Sequence, residues 1–208
     1  MLKPAHSWVV KLGGSLAGSP SLRDWLDCLS LSPSIIVPGG GPFADAVRKA
    51  QEQWHFDELT AHHMAILGMR QYGRMLLGLC PKLLAATTLA DFARNQTLAK
   101  VWMPSPEALD DAGIPASWDI TSDSLAAWLA GQIHAEHLLL VKSVAELGAS
   151  PGSVKALADA QAAGWVDPAF GHYAMRPPLQ CWLCGPDGHA HLPQGFTEPG
   201  PAFMLLHP

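Results

Sequence analysis

The chain has 208 residues, 49% of them hydrophobic and 15% charged, with a formal net charge of −5. That length and apolar share suit one domain with a substantial core and leave little for a second. The acidic balance argues against a nucleic-acid binder, which needs a basic face to displace counterions, and no apolar run approaches the roughly 20 residues of a membrane span. The first residues lack a secretory apolar region, so a cytoplasmic protein is expected.

In chain order, the first element is an apolar strand, Val9-Val10-Lys11-Leu12, that runs into a paired-glycine turn, Gly13-Gly14-Ser15. Residues 21–31 place Leu22, Trp25, Leu26 and Leu29 on one helical face behind Pro20. Ser34-Ile35-Ile36-Val37 is short and wholly apolar, like strands covered on both faces of a parallel sheet. It meets a second glycine turn, Gly39-Gly40-Gly41, which opens a helix over 43–54. Residues 57–79 carry the longest helical pattern, with an apolar stripe wide enough for core, pocket wall or subunit contact, so a homo-oligomer is compatible.

Residues 83–86 and 100–103 read as strands, 88–94 as a short helix capped by Thr87 or Thr88, and 106–112 as a helical turn. Thr121 or Ser122 caps an amphipathic helix over 125–135, with Asp123 in its first turn, where a carboxylate suits the dipole. Residues 137–141 form an almost purely aliphatic strand with Lys142-Ser143 at its carboxyl end, the end at which open α/β sheets bind ligands. The pattern then weakens. A helix over 153–163, a loop over 166–170, strands over 179–184 and 203–206 and a long surface turn over 185–201 complete the reading.

Each glycine turn has the form of a backbone cradle for phosphate, because glycines let successive N–H groups point at an anion and a following helix adds its positive end. Two cradles suggest two phosphates, on a donor and an acceptor, with Lys11 neutralising charge between them. The four cysteines are expected as free thiols. Cys181 and Cys184, followed by His189 and His191, have a spacing that can close a zinc tetrahedron, but their neighbours read as a buried strand, and no metal ligand is assigned.

The segments Val10-Lys11-Leu12-Gly13-Gly14-Ser15 and Pro38-Gly39-Gly40-Gly41 resemble the amino acid kinase family, which includes carbamate, acetylglutamate, uridylate and isopentenyl phosphate kinases. The resemblance covers residues 8–144 well and the last third poorly. It implies a three-layer αβα sandwich with a mainly parallel central sheet, forming a single domain over 1–208. The acceptor would lie in the half up to about residue 115 and the nucleotide in the half from about 116.

It also implies an ATP-dependent kinase that uses Mg2+. Lys11 would touch the transferred phosphoryl group, Gly13, Gly14, Ser15 and Ser143 the nucleotide phosphates, and Gly39, Gly40, Gly41 and Asp45 the acceptor; on the long helical stripe, His62 or His63 is the candidate for a further substrate contact. Thr121-Ser122-Asp123-Ser124-Leu125-Ala126 matches the segment whose aspartate orients the lysines, which makes Asp123 the organiser. Two departures stand out: the late strand is followed by Lys142-Ser143-Val144 where many members have Thr-Asp, and the Gly-Gly-Met-x-x-Lys loop with the second lysine is missing. Lys142 is expected to replace that lysine, with Lys155 as the other candidate.

Within the family, Gln71-Tyr72-Gly73 and the segment from Thr121 to Ala130 resemble a small branch that serves methanofuran-type one-carbon cofactor biosynthesis. That branch implies a phosphorylated small-molecule acceptor, (5-(aminomethyl)furan-3-yl)methyl phosphate, converted to its diphosphate. Asp45 fits such an acceptor, since a carboxylate beside a phosphate is repulsive unless the acceptor carries a cation. A kinase of a carboxylate or nucleoside monophosphate, or a non-catalytic nucleotide-binding or storage protein of the same fold, are the alternatives.

Overall fold

The computed structural model of the chain describes residues 8–95, 97–144, 152–174 and 178–208. Among these the strands are β1 (Trp8–Leu12), β2 (Ile35–Pro38), β3 (Leu84–Ala86), β4 (Lys100–Trp102), β5 (His137–Val141), β6 (Val154–Ala156), β7 (Gln180–Cys184) and β8 (Met204–His207). They share one sheet in the order β3-β4-β2-β1-β5-β7-β8-β6. Neighbours run parallel except β7 and β8. β1, the first strand in the chain, sits between β2 and β5 near the middle of the sheet.

Alternation along the strands divides the core into two layers. Val9, Ile35, Val37, Leu138 and Leu140 face one layer, which also holds Leu125, Ala126 and Leu129 of α6 (Ser122–Gln132). Val10, Leu12, Ile36, Leu139 and Val141 face the other, with Trp25 of α1 (Ser21–Leu29) and Tyr72 and Leu76 of α3 (Glu58–Leu79). Full burial of each such Leu, Ile or Val contributes roughly 1.5–3 kcal/mol relative to exposure. Helices on both faces of a mainly parallel sheet give the αβα sandwich expected from the sequence.

α2 (Gly41–Trp54) starts on the second glycine turn and packs along α3, whose first turn is capped by Asp57 accepting from Thr60 N–H at 2.8 Å. Thr88 caps α4 (Leu89–Phe92) in a reciprocal box with Asp91, and α5 (Pro106–Asp111) follows β4.

The structure departs from the sequence expectations in the last third and at the first turn. Residues 153–163 split into β6 and a shorter helix, α7 (Leu157–Ala162), because β8 offers Val154, Lys155 and Ala156 a parallel partner. The expected loop over 166–170 holds up to its last residue, where α8 (Phe170–Ala174) begins, seated on α6 through Phe170. The expected surface turn over 185–201 is a run of short helical pieces that includes α9 (Leu192–Gly195) and α10 (Pro199–Ala202). Leu192 and Ala202 are buried there, and Phe196 stacks on Trp8. The first glycine turn leads into a 3₁₀ turn (Gly14–Gly18), with α1 beginning only at Ser21, so no α-helical positive end stands behind Gly13 and Gly14.

Cys181 belongs to the α6-side layer and Cys184 to the opposite one. Three residues apart on one strand, the two thiols point away from each other through the sheet and cannot close around one ion. Burial pushes the Cys181 thiol up to about 12 and raises Cys184 further, which keeps both protonated.

Candidate active site

Three parallel neighbours, β2, β1 and β5, end side by side, and the candidate site forms on their carboxyl ends. The ladder continues one step into each loop. Gly13 N–H donates to the Val141 carbonyl at 3.1 Å, Gly39 N–H to Leu12 at 2.9 Å and Lys142 N–H to Cys184 at 3.0 Å. These bonds hold both glycine turns and Lys142 in register with the sheet.

The two turns also touch. A Cβ on Gly14 would sit 2.4 Å from Gly41 N, and Gly41 itself has φ of 56°, a left-handed conformation that disfavours side chains. The turns therefore form one continuous floor of backbone. Behind it α2 supplies a helix N-terminus with Gly40 at the cap position and Pro42 in the first turn.

Alternation explains which side chains meet above this floor. Lys11 lies two residues after Val9 and Lys142 two after Leu140, so both ammonium groups project into the α6-side layer. Asp123, in the first turn of α6, meets them there. Lys11 Nζ lies 2.8 Å from Asp123 Oδ1, and Lys142 Nζ donates to Oδ2, so each carboxylate oxygen holds one lysine. Lys11 and Asp123 are 5% and 3% exposed.

Burial alone would raise the Asp123 carboxyl, but the two lysines outweigh it and keep it below the usual carboxylate range. Burial, followed by repulsion from Lys11, lowers the Lys142 ammonium to about 8 against the pull of Asp123. Lys155, the other candidate lysine, pairs with Asp159 at 3.6 Å and lies over the Trp165 ring, outside this cluster.

A cleft of about 230 Å³ opens from the lysine–aspartate cluster between α2, α3 and the segment before α6. Lys11, Gly14, Gly40, Gly41, Asp45, His62, Asp123 and Lys142 line it. Gly13 and Gly39 are buried in their turns without lining it, and Ser15 and Ser143 are exposed outside it. The residues just beyond Ser143, where the sequence suggests a departure in the nucleotide loop, include 145–151, which lie outside the described residues.

The far end of the cleft holds residues that sequence reasoning did not single out. Arg48 follows Asp45 by three positions on α2, and its guanidinium lies 3.8 Å from the Trp118 ring centroid. Trp118 Nε1 donates to Gln51 Oε1 at 2.7 Å, and Gln51 Nε2 donates to Glu58 Oε1 at 3.3 Å. Glu58 was legible in principle: Glu58, His62, Ala65 and Met69 fall at helical spacing and all line the cleft. Trp118 gave no such signal, since its segment has no regular period.

His62 is 6% exposed, and its Nε2 has no hydrogen-bond partner among the described residues. Burial, with repulsion from His63, lowers its pKa against the pull of Asp110, so the ring is neutral near pH 7. A buried neutral imidazole in a cleft wall, with an unused nitrogen, can donate to or accept from a bound group.

Residues 7–156 match the model of the amino acid kinase family, and the chain belongs to that family. One curated relative is the [5-(aminomethyl)furan-3-yl]methyl phosphate kinase of Methanocaldococcus jannaschii, 29% identical over 142 residues. That match covers 65% of this chain and 65% of the relative's length. Among solved structures, the uridylate kinase of Archaeoglobus fulgidus superposes with a TM-score of 0.71 at 16% identity, over 97% of this chain and 100% of that one. The UMP kinase of Bacillus anthracis gives 0.68, also at 16% identity, over 96% and 95%. At these identities the two structures establish the fold.

Proposed function

We propose that this chain is an ATP-dependent phosphotransferase that converts a small phosphate monoester to a diphosphate, with (5-(aminomethyl)furan-3-yl)methyl phosphate as its acceptor. The observation that carries the proposal is the buried Asp123 holding Lys11 and Lys142, one on each oxygen, above a floor of side-chain-free backbone. Phosphoryl transfer asks for two phosphates in line and neutralised charge between them, and little else of the protein. In the step, an acceptor phosphate oxygen bonds to the γ-phosphorus as the bond from that phosphorus to the bridging oxygen breaks, and ADP leaves. Lys11 and Lys142 stabilise the charge on the transferring oxygens, while the N-terminus of α2 faces the acceptor phosphate.

The residues fit a nucleotide that brings its own magnesium ion. Such an ion neutralises the outer phosphates. Asp123, the carboxylate at that end of the cleft, is fully engaged by lysines, and the described residues contain no group of three or more potential ligand side chains.

The acceptor assignment rests on charge. A pocket that read phosphate alone would be weakened by carboxylates, yet Asp45 and Glu58 line the cleft and neither has an ion-pair partner among the described residues. A protonated aminomethyl group on the acceptor, together with the Arg48 guanidinium that also lines the cleft, matches these two charges, and the relative's substrate carries such a group. The deciding experiment incubates the protein with Mg-ATP and, separately, the aminomethylfuran phosphate, UMP and a small carboxylate, and weighs the products by mass spectrometry. Diphosphate formation fastest with the amine-bearing phosphate is expected. Faster turnover of the carboxylate or UMP would overturn the acceptor, and ATP binding without acceptor-dependent ADP release would overturn the enzyme.

A further inference from the structure

Asp167 is a buried carboxylate in the turn before α8, a segment with no regular pattern in the sequence. Its Oδ2 accepts from Thr121 N–H at 2.9 Å, the Thr121 hydroxyl at 2.7 Å and Ser124 N–H at 3.1 Å, and its Oδ1 accepts from the Ser124 hydroxyl. Thr121 is the cap residue of α6 and Ser124 the third residue inside it. In a self-contained capping box the cap side chain takes the third N–H, and an acidic side chain at that third position returns to the cap N–H. Here position 124 is a serine, and one carboxylate from 43 and 46 residues further along takes both N–H groups and both hydroxyls.

Asp123 lies between the two residues that Asp167 grips. The Thr121 hydroxyl that donates to Asp167 also lies 3.5 Å from Asp123 N–H as acceptor. The turn that carries Asp167 is itself fastened. Gln161 Nε2 donates to the Pro168 carbonyl at 2.7 Å, and Ala169 N–H donates to Asp119 at 3.1 Å. Where the first turn of α6 points, and with it the carboxylate that spaces Lys11 and Lys142, is thus set by a distant part of the chain.

Resting on the phosphotransfer reading above, we infer that Asp167 is a positioning residue for that reaction. It fixes the first turn of α6 so that Asp123 holds both lysines. A helix cap of purely structural use would need only acceptors; Asp167 also raises the Lys142 pKa, as the smallest of the influences on it. The charged groups facing Lys142 are Lys11 from β1, Asp123 from α6 and Asp167 from this turn. Of these, Lys11 lowers its pKa, while Asp123 and Asp167 raise it.

The test uses the full chain with Asp167→Asn, which keeps shape and removes the charge. Competitive acetylation with trace acetic anhydride, read by peptide mass spectrometry across pH, follows the ionisation of Lys142 without any substrate. Its midpoint, near 8 in the parent chain, should fall in the variant. kcat/KM for the acceptor should fall about 10- to 100-fold, as a misplaced catalytic array does, with its basic limb displaced to lower pH.

Ser124→Ala removes one contact and keeps the charge, so it should lower kcat/KM less and leave the Lys142 midpoint in place. An unshifted midpoint in folded Asp167→Asn would overturn the charge role, and kcat/KM within twofold of the parent would overturn the positioning role. If Asp167→Asn does not fold, Ser124→Ala carries the test, and parental kcat/KM in that variant overturns the inference. Should no acceptor be turned over by the parent chain, the functional proposal fails while the acetylation midpoint still decides the charge on Lys142.

Discussion

The two ends of the cleft are built on opposite rules. At the inner end Lys11, Lys142 and Asp123 are closed on one another and largely removed from water. At the outer end Asp45 is exposed without an ion-pair partner among the described residues, and His62 keeps an unused nitrogen. The difference teaches which end does what. A preorganised pair of lysines sharing one carboxylate keeps a net positive charge for the negative charge that develops during a reaction, whereas unpaired charges at a rim select the molecule that can pair with them.

The largest effect should come from breaking the inner end. Lys11→Ala should lower kcat by about 10²–10³-fold, since a preorganised charge partner is lost, while a thermal melt shows the fold retained. A rate within a few-fold of the parent would remove Lys11 from the chemistry. The floor comes next. Gly14→Ala places a methyl group 2.4 Å from the backbone of Gly41, so the turns must separate. A stability loss of roughly 1–3 kcal/mol in denaturant unfolding should accompany a drop in kcat/KM.

A third prediction follows from Lys142. Its charged form is the useful one and its pKa is lowered to about 8, so kcat/KM should be level below that pH and fall as pH rises through it. Bound phosphates favour the charged ammonium, so the basic limb of kcat should lie at higher pH than that of kcat/KM. Coincident limbs would mean that Lys142 does not meet the phosphates.

The smallest effect should separate the two ends most sharply. Glu58→Gln and Asp45→Asn should each lower kcat/KM for the amine-bearing acceptor by roughly tenfold, the worth of one charge-assisted hydrogen bond. They should leave an analogue with hydroxymethyl in place of aminomethyl unaffected or improved. An equal loss on both acceptors would show that the rim carboxylates do not read a cation.

Much of the inner end was legible because its signals are local. A lysine inside an apolar strand, glycines directly after it and an acid two residues past a threonine cap each carry meaning within a few positions. Strand β5 was read with the bounds it has, and α1, α2 and α3 within two residues. The last third was harder because its elements depend on partners far along the chain. β6 exists through β8, α8 leans on α6, and the helical run over 186–202 is held against Trp8 and Trp25. Trp118 and Asp167 were missed for the same reason, since each acts through a neighbour distant in sequence, whereas Glu58 shares the helical spacing of His62.

The sequence by itself determined the βα rhythm, the two glycine turns and the residue types for holding phosphate, because periodicity and backbone freedom are properties of short segments. Only the tertiary structure decided that Lys142 and not Lys155 meets Asp123, that the glycine turns touch, and that Cys181 and Cys184 face opposite layers. Those outcomes depend on which strands become neighbours and which face each side chain takes, and a sheet fixes both at once through its order and its alternation.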